Sequence, residues 1–175
     1  MRNCELERRR PPCAAAAARL LYLLSTDLQL RSQLRSQLLH AAGPAMALVL
    51  QAPGRVTNKE ACALLVNLST LPEMATQLLH GGALPALFSR LEHTHDVNIA
   101  KLIRALSEHA IAKPDLAGHA LKTAEMVLRG DNPELRMETL GVLANTPLDK
   151  VRGGCFFGGV AFGLFCCNLG RIDYM

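Results

Sequence analysis

Apolar positions along this chain recur at helical spacing. Between Ala83 and Glu92 they fall at Leu84, Leu87, Phe88 and Leu91. That is i, i+3, i+4 and i+7, one face of an α-helix. The stretch from Val97 to about Ala110 draws a second stripe with Ile99, Leu102, Ile103 and Leu106. A shorter amphipathic segment, Pro72 to His80, precedes both and ends at the breaker Gly81-Gly82, while polar His93-Thr94-His95-Asp96 predicts a turn. The region before it divides alike, into Leu28–Ala42, Gly43-Pro44, Ala45–Ala52, a turn at Pro53-Gly54, and Thr57–Ser69. Pro44 directly after Gly43 suits a helix C-cap followed by the first turn of the next helix. Downstream, Pro114 opens a helix running to about Arg129, Gly130-Asp131-Asn132-Pro133 predicts a turn, and Glu134–Asn145 is again helical. The pattern predicts units of one short and two longer helices, with a Gly bend between the first two.

These units are copies of one another. Arg19-Leu20-Leu21-Tyr22-Leu23-Leu24-Ser25-Thr26 is echoed by Ala63-Leu64-Leu65-Val66-Asn67-Leu68-Ser69-Thr70, then by Lys101-Leu102-Ile103-Arg104-Ala105-Leu106-Ser107-Glu108. Leu140-Gly141-Val142-Leu143-Ala144-Asn145 is a fourth copy. The intervals, roughly 37 to 44 residues, sit near the period of about 40–47 expected for HEAT and armadillo repeats. The expected fold is all-α, an armadillo-type right-handed helical solenoid (an α-α superhelix) of about three repeats plus a partial one. Residues 1–13 are expected as a disordered N-terminus, 14–150 as the repeat segment, and 151–175 as an irregular tail outside it. No such unit can bury its apolar stripe alone, so neighbours must stack into one core. Stacking aligns the long third helices along one wall, suited to holding another polypeptide and offering no closed pocket for catalysis. The expected function is a non-catalytic scaffold or adaptor.

Composition agrees with helices. Half of the residues are apolar but only 4% are aromatic, with no Trp, so the apolar mass is mostly Leu and Ala. The net charge of +4 is modest. Its one dense basic cluster, Arg8-Arg9-Arg10, follows Glu5 and Glu7, and no basic stripe with interleaved aromatics points to nucleic acid. Ala14–Leu24 has the apolar character of a secretory leader, but Arg19 interrupts it. The six cysteines include no C-x-x-C pair and are expected to be reduced, as in a cytosolic protein. His40 and His80 are placed at matching C-terminal ends of successive first helices, where the helix dipole favours a cation. There is no G-x-S-x-G, phosphate loop or H-E-x-x-H. No catalytic residue, metal site, cofactor or small-molecule substrate is expected.

Partner-binding candidates come from the outward faces of the third helices: Asn67, Lys101, Arg104, Glu108 and Arg136. Asn67 stands where an asparagine can face a groove and bond a peptide backbone, whereas Leu23, Ala105 and Val142 hold the equivalent places. One asparagine makes no ladder, and a solvated polar residue is the competing interpretation. The uncharged segment Cys155–Cys167 carries four of the five phenylalanines and offers a second alternative: a small membrane-associated helical protein, acylated at Cys166 and Cys167. It is shorter than the roughly 20 residues a spanning helix needs, so membrane association is not the favoured expectation.

Four segments carry a family resemblance: Leu20–Leu30 (LLYLLSTDLQL), Lys59–Leu79 (KEACALLVNLSTLPEMATQLL), Ala100–Ala110 (AKLIRALSEHA) and Glu134–Asn145 (ELRMETLGVLAN). In wording, order and spacing they resemble consecutive segments of the kinesin-associated proteins, the armadillo-repeat accessory subunits of heterotrimeric kinesin-II. The resemblance covers about Ala14 to Leu148. It departs at Ala105, where the family carries asparagine, at Thr146-Pro147, and beyond Arg152. It implies a non-motor subunit that binds the tails of the kinesin-II motor subunits and links them to cargo adaptors. The implied process is microtubule-based, intraflagellar transport, and the implied location is cytoplasm, cytoskeleton and cilium. No catalytic residue comes with it. The alternative is a generic armadillo-repeat adaptor.

Overall fold

The computed structural model describes residues 12–52, 57–129 and 131–147. Every regular element among them is helical: α1 (Pro12–Thr26), α2 (Leu28–Gln33), α3 (Arg35–Leu50), α4 (Lys59–Ser69), α5 (Pro72–His80) and α6 (Ala83–Thr94), then α7 (Val97–Ser107), a 3₁₀ turn (Ala110–Ala112), α8 (Lys113–Arg129) and α9 (Pro133–Asn145). The all-α class expected from the periodicity holds.

Three helices of the repeated pattern start in the same way. Asn58, Asp96 and Asn132 stand just before α4, α7 and α9 in extended backbone, and each side chain accepts bonds from the first turn. Asn58 Oδ1 takes the Ala61 N–H at 2.9 Å, Asp96 Oδ1 the Asn98 N–H at 2.8 Å, and Asn132 Oδ1 the Glu134 and Leu135 N–H groups at 3.0 and 3.2 Å. Each satisfies donors that the helix itself cannot, worth about 1 kcal/mol per cap. Gly82, at φ +71°, takes the left-handed turn between α5 and α6 that a side chain would resist.

The core follows the stripes. Leu64, Leu65 and Leu68 of α4 are fully buried, as are Ile99, Leu102, Ile103 and Leu106 of α7 and Leu84 and Leu87 of α6. Each such side chain contributes about 1.5–3 kcal/mol by leaving water. Helix α4 packs against α1, α3 and α7, helix α7 against α6 and α9, and α9 against α8. The helices α1, α4, α7 and α9 thus form a row of successive neighbours.

Several boundaries differ from the sequence expectation. Helix α3 runs unbroken through Gly43-Pro44, which were expected to separate two helices. The reason is the stripe Leu38, Ala42, Ala45, Met46 and Val49, buried on both sides of the proline. Its continuity outweighs the roughly 3 kcal/mol that an interior proline costs. His40 therefore lies within α3 and caps nothing, whereas His80 does end α5. The break falls earlier, at Leu34 between α2 and α3, and nothing in the local side chains explains it. Helix α6 extends to Thr94 and α7 stops at Ser107, short of Ala110. One short and two longer helices recur in α2–α4 and in α5–α7, whereas the third unit replaces its short first helix with the 3₁₀ turn. Pro12 and Cys13 already belong to α1. The expected tail, 151–175, lies outside the described residues, and the membrane alternative rests on it. Among the described residues no helix is long and apolar enough to cross a membrane.

Candidate functional site

The ends of the successive helices are tied by a recurring bond. Asn67 Nδ2 of α4 donates to Ser25 Oγ of α1 at 3.0 Å, and Asn145 Nδ2 of α9 donates to Ser107 Oγ of α7 at 2.8 Å. Between them, His109 Nε2, just after α7, lies 2.7 Å from the carbonyl of Ser69 in α4. A carbonyl only accepts, so Nε2 carries the proton there. Each serine donates its own hydroxyl back one turn, to the carbonyls of Tyr22, Val66 and Arg104. Cations close two of the helix ends: Arg31 Nη1 reaches the Asn67 carbonyl at 3.1 Å, and Lys113 Nζ bonds the Asn145 carbonyl. Such C-terminal carbonyls lack the next turn of their helix as a donor; the Asn67 carbonyl also accepts from the Thr70 hydroxyl at 2.7 Å.

Beside these ties an open groove of about 430 Å³ crosses the row. Tyr22 contributes from α1, while Cys62, Val66 and Asn67 contribute from α4. Helix α7 supplies Asn98, Lys101, Ala105 and, at its end, Glu108, and Glu138 closes the far side from α9. Helical spacing aligns them: Asn98, Lys101 and Ala105 stand at i, i+3 and i+7, and Cys62 and Val66 at i and i+4.

Four of the five sequence candidates meet in this groove. Lys101 Nζ donates to Glu134 Oε1 at 2.6 Å, and Arg104 Nη1 to Glu138 Oε2 at 3.1 Å. Its hydrogen bond to Glu134, helped by the charges of Glu134 and Glu138, holds the Lys101 ammonium above its ordinary pKa. Glu108 is exposed. Asn67 is half-buried, and its amide is committed to Ser25 rather than presented free to a peptide backbone. Arg136 is exposed on α9 and does not line the groove.

Sequence reasoning missed Tyr22, Asn98 and Glu138. The signal was present: Glu138 lies one helical turn from Glu134, so both carboxylates fall on the side of α9 that faces Lys101 and Arg104. It missed Gly141 as well. A Cβ there would stand 2.7 Å from Cδ and Nε of Arg104, so the glycine leaves room for that side chain to lie across α9.

Burial, with a smaller push from the Asp96 charge, moves the Cys62 thiol up to about 12, so it carries no thiolate at neutral pH. Among the described residues no three His, Cys, Asp or Glu side chains gather as a metal would require. Amides, both signs of charge and short apolar side chains alternate along the groove. Models of protein families, curated proteins and solved structures offer no match to this chain.

Proposed function

We propose that this protein is a non-catalytic scaffold of armadillo type, whose groove across α1, α4, α7 and α9 receives a polypeptide segment of another protein. The observation that carries the proposal is the register of the groove. Four successive helices, joined by the Ser25–Asn67, Ser69–His109 and Ser107–Asn145 ties, present side chains to one open channel. A channel of that form exposes a bound segment to repeated polar contacts and desolvates no single group, which suits binding and not bond-making.

The family resemblance narrows the partner to the tail segments of the kinesin-II motor subunits, with cargo adaptors as further partners, and the setting to microtubule-based transport in cytoplasm and cilium. Lys101, Arg104 and Glu108 are the contacts proposed for such a tail, with Asn67 acting through the tie that holds α4 to α1. Arg136, outside the groove, is a contact only for a partner that extends past α9. Co-purification of the full chain with the two motor tails tests this. Binding that falls at least tenfold in a Lys101→Glu, Arg104→Glu double variant is the expected result. Failure of the unmodified chain to retain either tail sinks the kinesin assignment. Retention that the double variant leaves unchanged sinks the groove.

A further inference from the structure

A second opening lies away from the groove, between the end of α3 and the face of α6. It encloses about 410 Å³ and is lined by Leu50, Ala86, Ser89, Arg90 and His93. None of these residues belongs to the groove, and both helices lie outside the row that forms it.

Arg90 is the unusual member. Its Nε and Nη2 are shut away from water, and neither has a hydrogen-bond acceptor. A guanidinium is always charged, and a buried charge without a partner is a standing cost to the fold. The nearest acid along the helix cannot relieve it: both carboxylate oxygens of Glu92 are held by Lys122 of α8, at 3.0 and 3.1 Å. His93 is likewise fixed, with Nδ1 on the Ser89 carbonyl at 2.6 Å. The carbonyl of Arg90 is occupied by the Thr94 hydroxyl at 2.9 Å. Glu92, His93 Nδ1 and the Arg90 carbonyl are thus engaged elsewhere, while the Nε/Nη2 edge has no acceptor.

That edge is one of the two forks by which arginine takes a planar carboxylate through two parallel N–H···O bonds. We infer that the cleft between α3 and α6 is a carboxylate-binding site, with Arg90 as the bidentate donor. Both atoms of that edge are buried, and the edge meets the carboxylate when the guanidinium swings about its side-chain bonds into the cleft. The exchange replaces two unmade bonds with two charge-assisted ones. A small free acid or a glutamate of a partner chain presents the same group.

The test is an ¹⁵N-detected titration of the Arg90 Nε–H in the full chain, assigned by its absence from Arg90→Lys. Sodium acetate serves as the free acid, a blocked Ser-Glu-Glu-Ser peptide as the chain-borne acid, and sodium chloride as the control at equal ionic strength. A saturable shift with acetate, with the peptide or with both is the expected result, and which one saturates identifies the source. Thermal unfolding gives the second readout. The carboxylate that binds raises the midpoint of the unmodified chain, and this rise is absent in Arg90→Met and reduced in Arg90→Lys, whose binding is weaker by roughly tenfold. Shifts that never saturate, or that chloride reproduces, overturn the assignment. So does a carboxylate-induced rise of equal size in Arg90→Lys.

Discussion

Helices α7 and α9 begin alike and are tied together at their ends, yet they sit in the molecule very differently. Both start on an Asx cap and both join the serine–amide ties. Helix α7 has neighbours on several sides, and six of its eleven residues are buried. Helix α9 buries only Leu135, Thr139 and Val142 of its thirteen, and its Met137 is 60% exposed. Leu135 and Val142 join the same core as α7, and three polar contacts link the two helices: Lys101 with Glu134, Arg104 with Glu138, and the Ser107–Asn145 bond. The contrast teaches that the repeated sequence words specify each helix and its register, while stability is set by how many flanks are covered. Hydrophobic burial dominates at α7; at α9 exposed ion pairs, worth about 0–1 kcal/mol each, fix alignment more than they stabilise.

The sharpest division between the two should come from core truncation. Leu102→Ala in α7 removes a fully buried side chain and is expected to cost about 2–5 kcal/mol in denaturant unfolding. Val142→Ala in α9, also buried, removes less volume beside a helix with fewer neighbours and should cost about 1–2 kcal/mol. Equal losses would break the contrast.

Alkaline pH probes the same interior. The unfolded Cys62 thiol ionises from its ordinary value of 9.0, while the folded one holds its proton to about 12. Above 9.0 the unfolded chain therefore binds fewer protons than the folded chain, and stability falls as pH rises through that window. Near pH ~10.5 the loss should be on the order of 2 kcal/mol, and Cys62→Ala should lack it. The Lys101–Glu134 pair is also lost at high pH, since a raised lysine pKa contributes only until the ammonium deprotonates in the folded state. That pair is present in both proteins, so the difference between their pH profiles isolates Cys62.

The ties should give smaller and more even effects. Asn67→Ala and Asn145→Ala each remove one side-chain bond to a serine hydroxyl. Each should cost about 1 kcal/mol, with a smaller penalty at Asn145, where water can replace the amide at the more open α9. Urea unfolding of the two variants reads this directly. A larger loss at Asn145 would mean that the α7–α9 junction depends on its polar contacts more than the burial pattern indicates.

Much of this was legible in the sequence. The stripes of α5, α6 and α7 were visible because their apolar residues keep strict helical spacing and Gly81-Gly82 marks the turn between two of them. The third helices were visible as copies, and their outward residues led to four members of the groove. Gly43-Pro44 misled because a local breaker was weighed without the buried stripe that spans it. The role of Asn67 was half legible: its place on the helix was clear, but a hydrogen bond to Ser25, 42 residues away, depends on how two units stack. Arg90 carried no signal at all, since a cation on a helix face looks solvated until its neighbours are placed.

The smallest expected effect is the most specific to the α7–α9 junction. Gly141→Ala places a Cβ where Arg104 now lies, and two opposed terms follow. Alanine favours the helix over glycine by about 0.5–1 kcal/mol. Against that, Arg104 must lift off α9, weakening its 3.1 Å bond to Glu138, an exposed pair worth about 0–1 kcal/mol. The side chain is half exposed and long enough to move, so nothing in the backbone needs to shift. The net change in stability should therefore lie within about 0.5 kcal/mol of zero. What should change is the coupling. A double-mutant cycle between Arg104→Ala and Glu138→Ala should show a measurable interaction with Gly141 and none with Ala at that position. A coupling that survives Gly141→Ala would mean that Arg104 reaches Glu138 by another path, and that the glycine has no part in aligning α9 on α7.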